Sequence, residues 1–117
     1  MSLQTIGHSG EAYATEYLRT NGYRILEQNY RIRLGEIDII AQKNNTIYFC
    51  EVKTRMDDSH GKPYEAVTYR KLQHIKRVAT AYVLQNALKN SKLSVQVISI
   101  ILYPDTTIKD LKMYEVI

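Results

Sequence analysis

Residues 36 to 53 read Glu-Ile-Asp-Ile-Ile-Ala-Gln-Lys-Asn-Asn-Thr-Ile-Tyr-Phe-Cys-Glu-Val-Lys, and this stretch constrains the chain most. Two β-branched runs flank Asn44-Asn45, which is the pattern of a β-hairpin. A turn symmetric about the two asparagines, of two or four residues, places Asp38 opposite Glu51 and Glu36 opposite Lys53. Opposed Cβ atoms on one face lie about 4.5 to 5.5 Å apart, and like charges there cost roughly 0.2 to 1 kcal/mol. A divalent cation or a shared proton offsets that repulsion, and Lys53 adds a positive charge on the same face. The hairpin therefore reads as a metal site.

The remaining composition narrows the setting. A chain of 117 residues has the length of one ordinary domain, spanning 1–117. The net charge of +4 suits a polyanionic partner without the density of a basic tail. Cys50 is the one cysteine, so no internal disulfide forms, and His8, His60 and His74 are too scattered for zinc spacing. No charged-then-apolar leader and no apolar run near the ~18 residues of a spanning helix are present, so a cytoplasmic protein off the membrane is expected.

Residues 6–21 set Ile6, Gly10, Tyr13, Ala14, Tyr17 and Leu18 at helical spacing, with Gly22 as the C-terminal cap. Glu11 shares the stripe of Ala14 and Leu18 and is expected to face inward; interaction with the helix dipole is the alternative role for an acid there. Residues 23–31 form a weaker strand, and Leu34-Gly35 breaks the chain before the hairpin. Both hairpin faces carry apolar residues, which predicts central strands in a sheet covered on both sides. Cys50 is expected to pack. Residues 55–63 form a polar loop at the mouth of the site, with Arg55 and Lys62 as phosphate contacts and Asp57 and Asp58 solvated.

After Pro63 a helical pattern runs to about Leu88, with Leu72, Ile75, Ala79, Tyr82 and Val83 inward. Its outer stripe carries Arg70, His74 and Arg77, with Lys71 and Lys76 nearby. Such a surface tracks phosphates, and a solvated helix face explains it equally well. Residues 97–102 form a buried strand, Pro104-Asp105 a turn, and 108–117 a final strand. The order α, β, β, β, α, β, β predicts an α/β sandwich around a mixed central sheet flanked by helices. Tyr13, Tyr17 and Tyr82 belong to the core, whereas Tyr64 and Tyr69 are placed for stacking.

Glu11, Asp38 and the segment Glu51-Val52-Lys53 together resemble the PD-(D/E)XK, or restriction endonuclease-like, superfamily with its αβββαβ core. More closely, Gly10-Glu11, Ala14, Tyr17-Leu18, Gly22-Tyr23, Asn29, Arg31, Gly35-Glu36-Ile37-Asp38, Glu51-Val52-Lys53, Arg55 and Pro63-Tyr64-Glu65-Ala66-Val67 resemble the bacterial YraN-like family, considered similar to archaeal Holliday-junction resolvases. The resemblance implies that Asp38 and Glu51 bind magnesium, that Lys53 orients or activates the attacking water, and that Glu11 completes the site. Where the family often carries Arg-Phe-Asp this chain reads Val95-Gln96-Val97-Ile98-Ser99, so no role needing that acid carries over.

Phosphodiester hydrolysis needs an activated water, charge neutralisation at phosphorus and help for the leaving alkoxide, all of which magnesium supplies. Asp38, Glu51 and the Val52 carbonyl make a sufficient protein set, because magnesium keeps several of its own waters; manganese is the natural substitute. Glu36 is expected to pair with Lys53 across the strands, with metal ligation as its alternative role. Arg31 and Arg55 either bind phosphate or pair with the acids when no substrate is bound. The expected function is a metal-dependent endonuclease acting on DNA, including junctions or flaps, with a homodimer suited to a two-fold-symmetric junction. The alternative is a non-catalytic nucleic-acid-binding module that retains the nuclease fold.

Overall fold

The structure, a computed structural model, describes residues 3–56 and 67–117. The elements are α1 (Leu3–Thr20), β1 (Arg24–Ile32), β2 (Gly35–Lys43), β3 (Thr46–Arg55), α2 (Tyr69–Gln85), β4 (Lys92–Leu102) and β5 (Ile108–Glu115). They build one five-stranded sheet in the order β1-β2-β3-β4-β5. Strands β3 and β4 run parallel, and every other neighbouring pair is antiparallel. A parallel pair needs a crossover, and α2 supplies it. This is the expected αβββαβ order with one further strand, a mixed fold compatible with the restriction endonuclease-like architecture.

Glycine and threonine set the helix ends. Gly22 takes φ of +86°, its N–H donates to Arg19 O, and the Tyr23 N–H reaches back to Leu18 O at 2.9 Å. That pair of bonds is a Schellman cap. The Thr68 hydroxyl accepts the Lys71 N–H at the start of α2. Helix α2 stops at Gln85, short of Leu88, because Ala87 adopts φ of +55° and Leu88 N–H turns back to Val83 O. Leu88 packs against the core instead of extending the helix.

Each helix covers one face. Ile75, Val78, Ala79, Tyr82 and Val83 of α2 bury Ile37, Ile40, Ile47, Phe49 and Val95. Ala14 and Leu18 of α1 bury Ile39, Ala41, Cys50, Ile98, Ile100 and Leu102 on the other. Val78, fully buried, joins the expected inward set, while Leu72 is only partly covered. Tyr13 and Tyr17 pack beside the α1 cluster, and Tyr82 stands edge-on to Phe49. Burial, with the nearby Asp38 charge second, pushes the Cys50 thiol up to about 12, so it is packing and no nucleophile.

The hairpin register holds from Lys43↔Thr46 to Ile39↔Cys50, around the two-residue loop Asn44-Asn45 with Asn44 left-handed at φ of +54°. The β1–β2 ladder runs on to Ile32↔Gly35. Asn29, left-handed at φ of +51°, lies between the β1 residues paired with Ile39 and Ile37, alongside Asp38, while the register shift of this ladder lies between Ile25 and Glu27.

Candidate functional site

Asp38 lies just beyond the last pair of the β2–β3 ladder. Its Oδ2 accepts the Val52 N–H at 2.8 Å. A strand residue presents its N–H and C=O on the same edge, so the Val52 carbonyl also points toward the gap that opens between β2 and β3. The carboxylate thus accepts a backbone N–H of β3 where the paired ladder has ended. Glu51 sits on β3 opposite Val97, with its side chain mostly buried at 17% exposure. Asp38, Glu51, Glu36, Gly35, Lys71, His74 and Ile75 line one cleft of about 240 Å³ between the sheet and α2.

The electrostatics of this cleft are adverse to two bare carboxylates. Burial first, and Glu51's charge second, push Asp38 up from 3.8 to about 7; Glu11 adds to the rise, while the Val52 N–H and Lys71 oppose it. Lys71 Nζ lies 2.6 Å from Glu51 Oε1. Each acid therefore takes up positive charge in its own way, by holding a proton or pairing with an ammonium. Glu11 is half-buried on α1, close enough for its charge to act on Asp38. Gly10 beside it lets α1 approach Thr54 on β3, since a Cβ there would overlap that side chain.

Several expectations are corrected. Glu36 does not pair with Lys53: the β2–β3 ladder ends before reaching them, whereas β1–β2 continues and sets Arg31 directly opposite Glu36. Arg31 Nη2 meets Glu36 Oε2 at 2.8 Å, with both side chains largely exposed. Replacing Glu36 with Gln is expected to change stability by about 0.5 kcal/mol or less, measured by urea unfolding in 0.15 M salt. Lys71 and His74 are not confined to an outer basic stripe; both line the acidic cleft.

The helical spacing of Lys71, Ile75, Val78 and Tyr82 carried that signal, because Lys71 heads the buried stripe. Arg70 and Arg77 are exposed as expected, Lys53 is exposed beside Ser99, and Arg55 is half-buried at the end of β3. Tyr69 is 79% exposed. Lys62, Asp57, Asp58 and Tyr64 lie outside the described residues.

Among the described residues no three His, Cys, Asp or Glu side chains gather as a metal cluster. The cleft instead brings together the carboxylates of Asp38 and Glu51, with Glu36, held by Arg31, and His74 also on its lining. The oxygens of Asp38 and Glu51 fit a hard divalent ion that retains several of its own waters.

A family model described as "Uncharacterised protein family UPF0102" matches residues 10–100. The chain belongs to the UPF0102, or YraN-like, family. A UPF0102 protein from Caldicellulosiruptor saccharolyticus is 41% identical over 113 residues, covering 97% of this chain and 96% of its own. One from Alkaliphilus oremlandii is 55% identical over 83 residues, 71% of each chain. Another from Clostridium botulinum is 48% identical over 85 residues, 73% of this chain and 69% of its own. The UPF0102 match takes in Glu11, Asp38, Glu51, Lys53 and the cleft-lining turn of α2. No described helix is long and apolar enough to cross a membrane.

Proposed function

We propose that this UPF0102 protein is a divalent-metal-dependent endonuclease of the PD-(D/E)XK type acting on DNA, with branched structures as the favoured substrate. The observation that carries the reading is the shared cleft of Asp38 and Glu51, where one acid is held near neutrality and the other pairs with an ammonium. Such a pair accommodates a divalent ion better than it does two free charges. Magnesium, or manganese in its place, would be held by Asp38, Glu51 and the Val52 carbonyl, and would supply charge neutralisation and an acidified water.

The chain's own groups do the rest. The Val52 N–H fixes the Asp38 carboxylate through Oδ2 and leaves Oδ1 for the cleft. Glu51 is carried on β3, paired with Val97 of β4, with its side chain mostly buried. Lys53, exposed on β3 two residues past Glu51 and outside the residues lining the cleft, is assigned to contact a scissile phosphate or orient water. Glu11 approaches from α1 and supports a second ion or a water. Arg55, Arg70 and Arg77, with Lys62 between β3 and α2 in sequence, are assigned to flanking phosphates. Arg31 joins them once phosphate outcompetes Glu36. Two copies would match a two-fold-symmetric junction, and a cytoplasmic location is part of the same proposal.

The test is cleavage of a panel of four-way junction, flap, duplex and single-stranded DNA in magnesium and in EDTA. Cutting is expected in magnesium alone, with Glu51→Gln slower by roughly 100-fold or more. Salt-sensitive DNA binding that survives in EDTA and in Glu51→Gln, with no strand of the panel cut, would reject catalysis and identify a non-catalytic binding module.

A further inference from the structure

The cation already in the cleft belongs to the protein. Lys71 Nζ meets Glu51 Oε1 at 2.6 Å, and the two side chains differ sharply in freedom: Glu51 is 17% exposed and Lys71 44%. The carboxylate is fixed on the central strand, whereas the ammonium ends a four-carbon stem at the cleft mouth and can move into water. Its Cα is fixed in turn, since Lys71 follows the Thr68 cap in the first turn of α2 and heads the buried stripe through Ile75 and Val78. One side chain can therefore change partner while the helix stays in place.

We propose that Lys71 is a resident counter-ion that holds Glu51 in the metal-free protein and yields it to a divalent cation, turning to a substrate phosphate in the same cleft. The inference rests on the metal-site reading of Asp38 and Glu51 and adds a positioning residue to it. With the ammonium 2.6 Å from Glu51 Oε1, a divalent ion on the same carboxylate would stand only about 4 Å from it, and like charges that close repel in a partly buried cleft. Metal binding to the free protein is opposed by the Lys71–Glu51 contact. A phosphodiester relieves that opposition by accepting the displaced ammonium. Metal and DNA consequently strengthen each other's binding, and the coupling is reciprocal.

The experiment is calorimetric titration of manganese alone into the wild type, Lys71→Gln, Lys76→Gln and Glu51→Gln, without DNA, with circular dichroism to verify folding. Lys76 carries the same charge on the exposed side of α2, outside the acidic cleft. It controls for a general loss of positive charge, which salt screens beyond about 10 Å at 0.1 M. Lys71→Gln is expected to bind manganese roughly tenfold more tightly than wild type, with Lys76→Gln nearly unchanged. Equal affinity in Lys71→Gln and wild type, or an equal gain in Lys76→Gln, would overturn the counter-ion role while leaving the metal site standing. Manganese binding that persists in Glu51→Gln would place the ion elsewhere and overturn the proposal. An absence of binding in wild type and Lys71→Gln alike would overturn it together with the metal reading.

Discussion

Asp38→Asn will raise the melting temperature of the metal-free protein at pH 8 by roughly 15 °C, and the gain will shrink toward zero near pH 4. Burial and the neighbouring Glu51 push the Asp38 carboxyl up from 3.8 to about 7. Between those values the folded protein holds a proton that the unfolded chain has released. Stability therefore falls as pH rises through this window, and above about pH 7 the full cost of ionising Asp38 is present. At ~1.4 kcal/mol per pH unit, the cost is on the order of 4 kcal/mol. Asparagine carries no such charge, and its side-chain oxygen still accepts the Val52 N–H. Differential scanning fluorimetry of both proteins from pH 4 to 8 in EDTA measures the difference. Identical melting curves across that range would show that the carboxyl ionises without cost and that the cleft is not poised for a cation. The same substitution is expected to abolish magnesium-dependent cutting, so stability and activity change in opposite directions at one residue.

How far this site was readable follows from which forces are local. Asn44-Asn45 and the alternation around it specify the hairpin register, and pairing from Lys43↔Thr46 to Ile39↔Cys50 follows it. Gly22 ends α1, and the apolar run of β4 is buried, for equally local reasons. What periodicity does not encode is where a ladder stops. At Asp38 a side-chain oxygen takes a backbone N–H, which removes the pairing that would have set Glu36 against Lys53. Arg31 then reaches Glu36 through the other hairpin, whose register is independent of the first.

Lys71 marks a different limit. Its place at the head of a buried helical stripe is legible, but what lies beneath it depends on the crossover that carries the chain from β3 through α2 to β4. That crossover sets the first turn of α2 over the end of β3 that bears Glu51, as the ion pair shows. The acids of the cleft are local in sequence, and their counter-ion is not.

Gly10→Ala will destabilise the protein by about 2 to 3 kcal/mol, although alanine is ordinarily worth ~1 kcal/mol more than glycine inside a helix. A Cβ at Gly10 would overlap the Thr54 hydroxyl and lie only 2.8 Å from Thr54 Cβ and 2.9 Å from its Cγ2. Thr54 lies past the last β2–β3 pair but is paired with Ile100 of the buried strand β4, which holds it in place, so α1 must lift. Over-packing against a fixed strand outweighs the gain in helix propensity. Thr54→Ala on the Gly10→Ala background is expected to recover about half the loss, because it removes the hydroxyl and methyl while leaving the close Cβ. Chemical denaturation of the two single variants and the double variant measures the coupling. Simple additivity would mean that α1 does not rest on Thr54. Coupling would show that Glu11, the next residue of α1, is held near Asp38 by a close approach of helix to strand that only glycine permits at position 10.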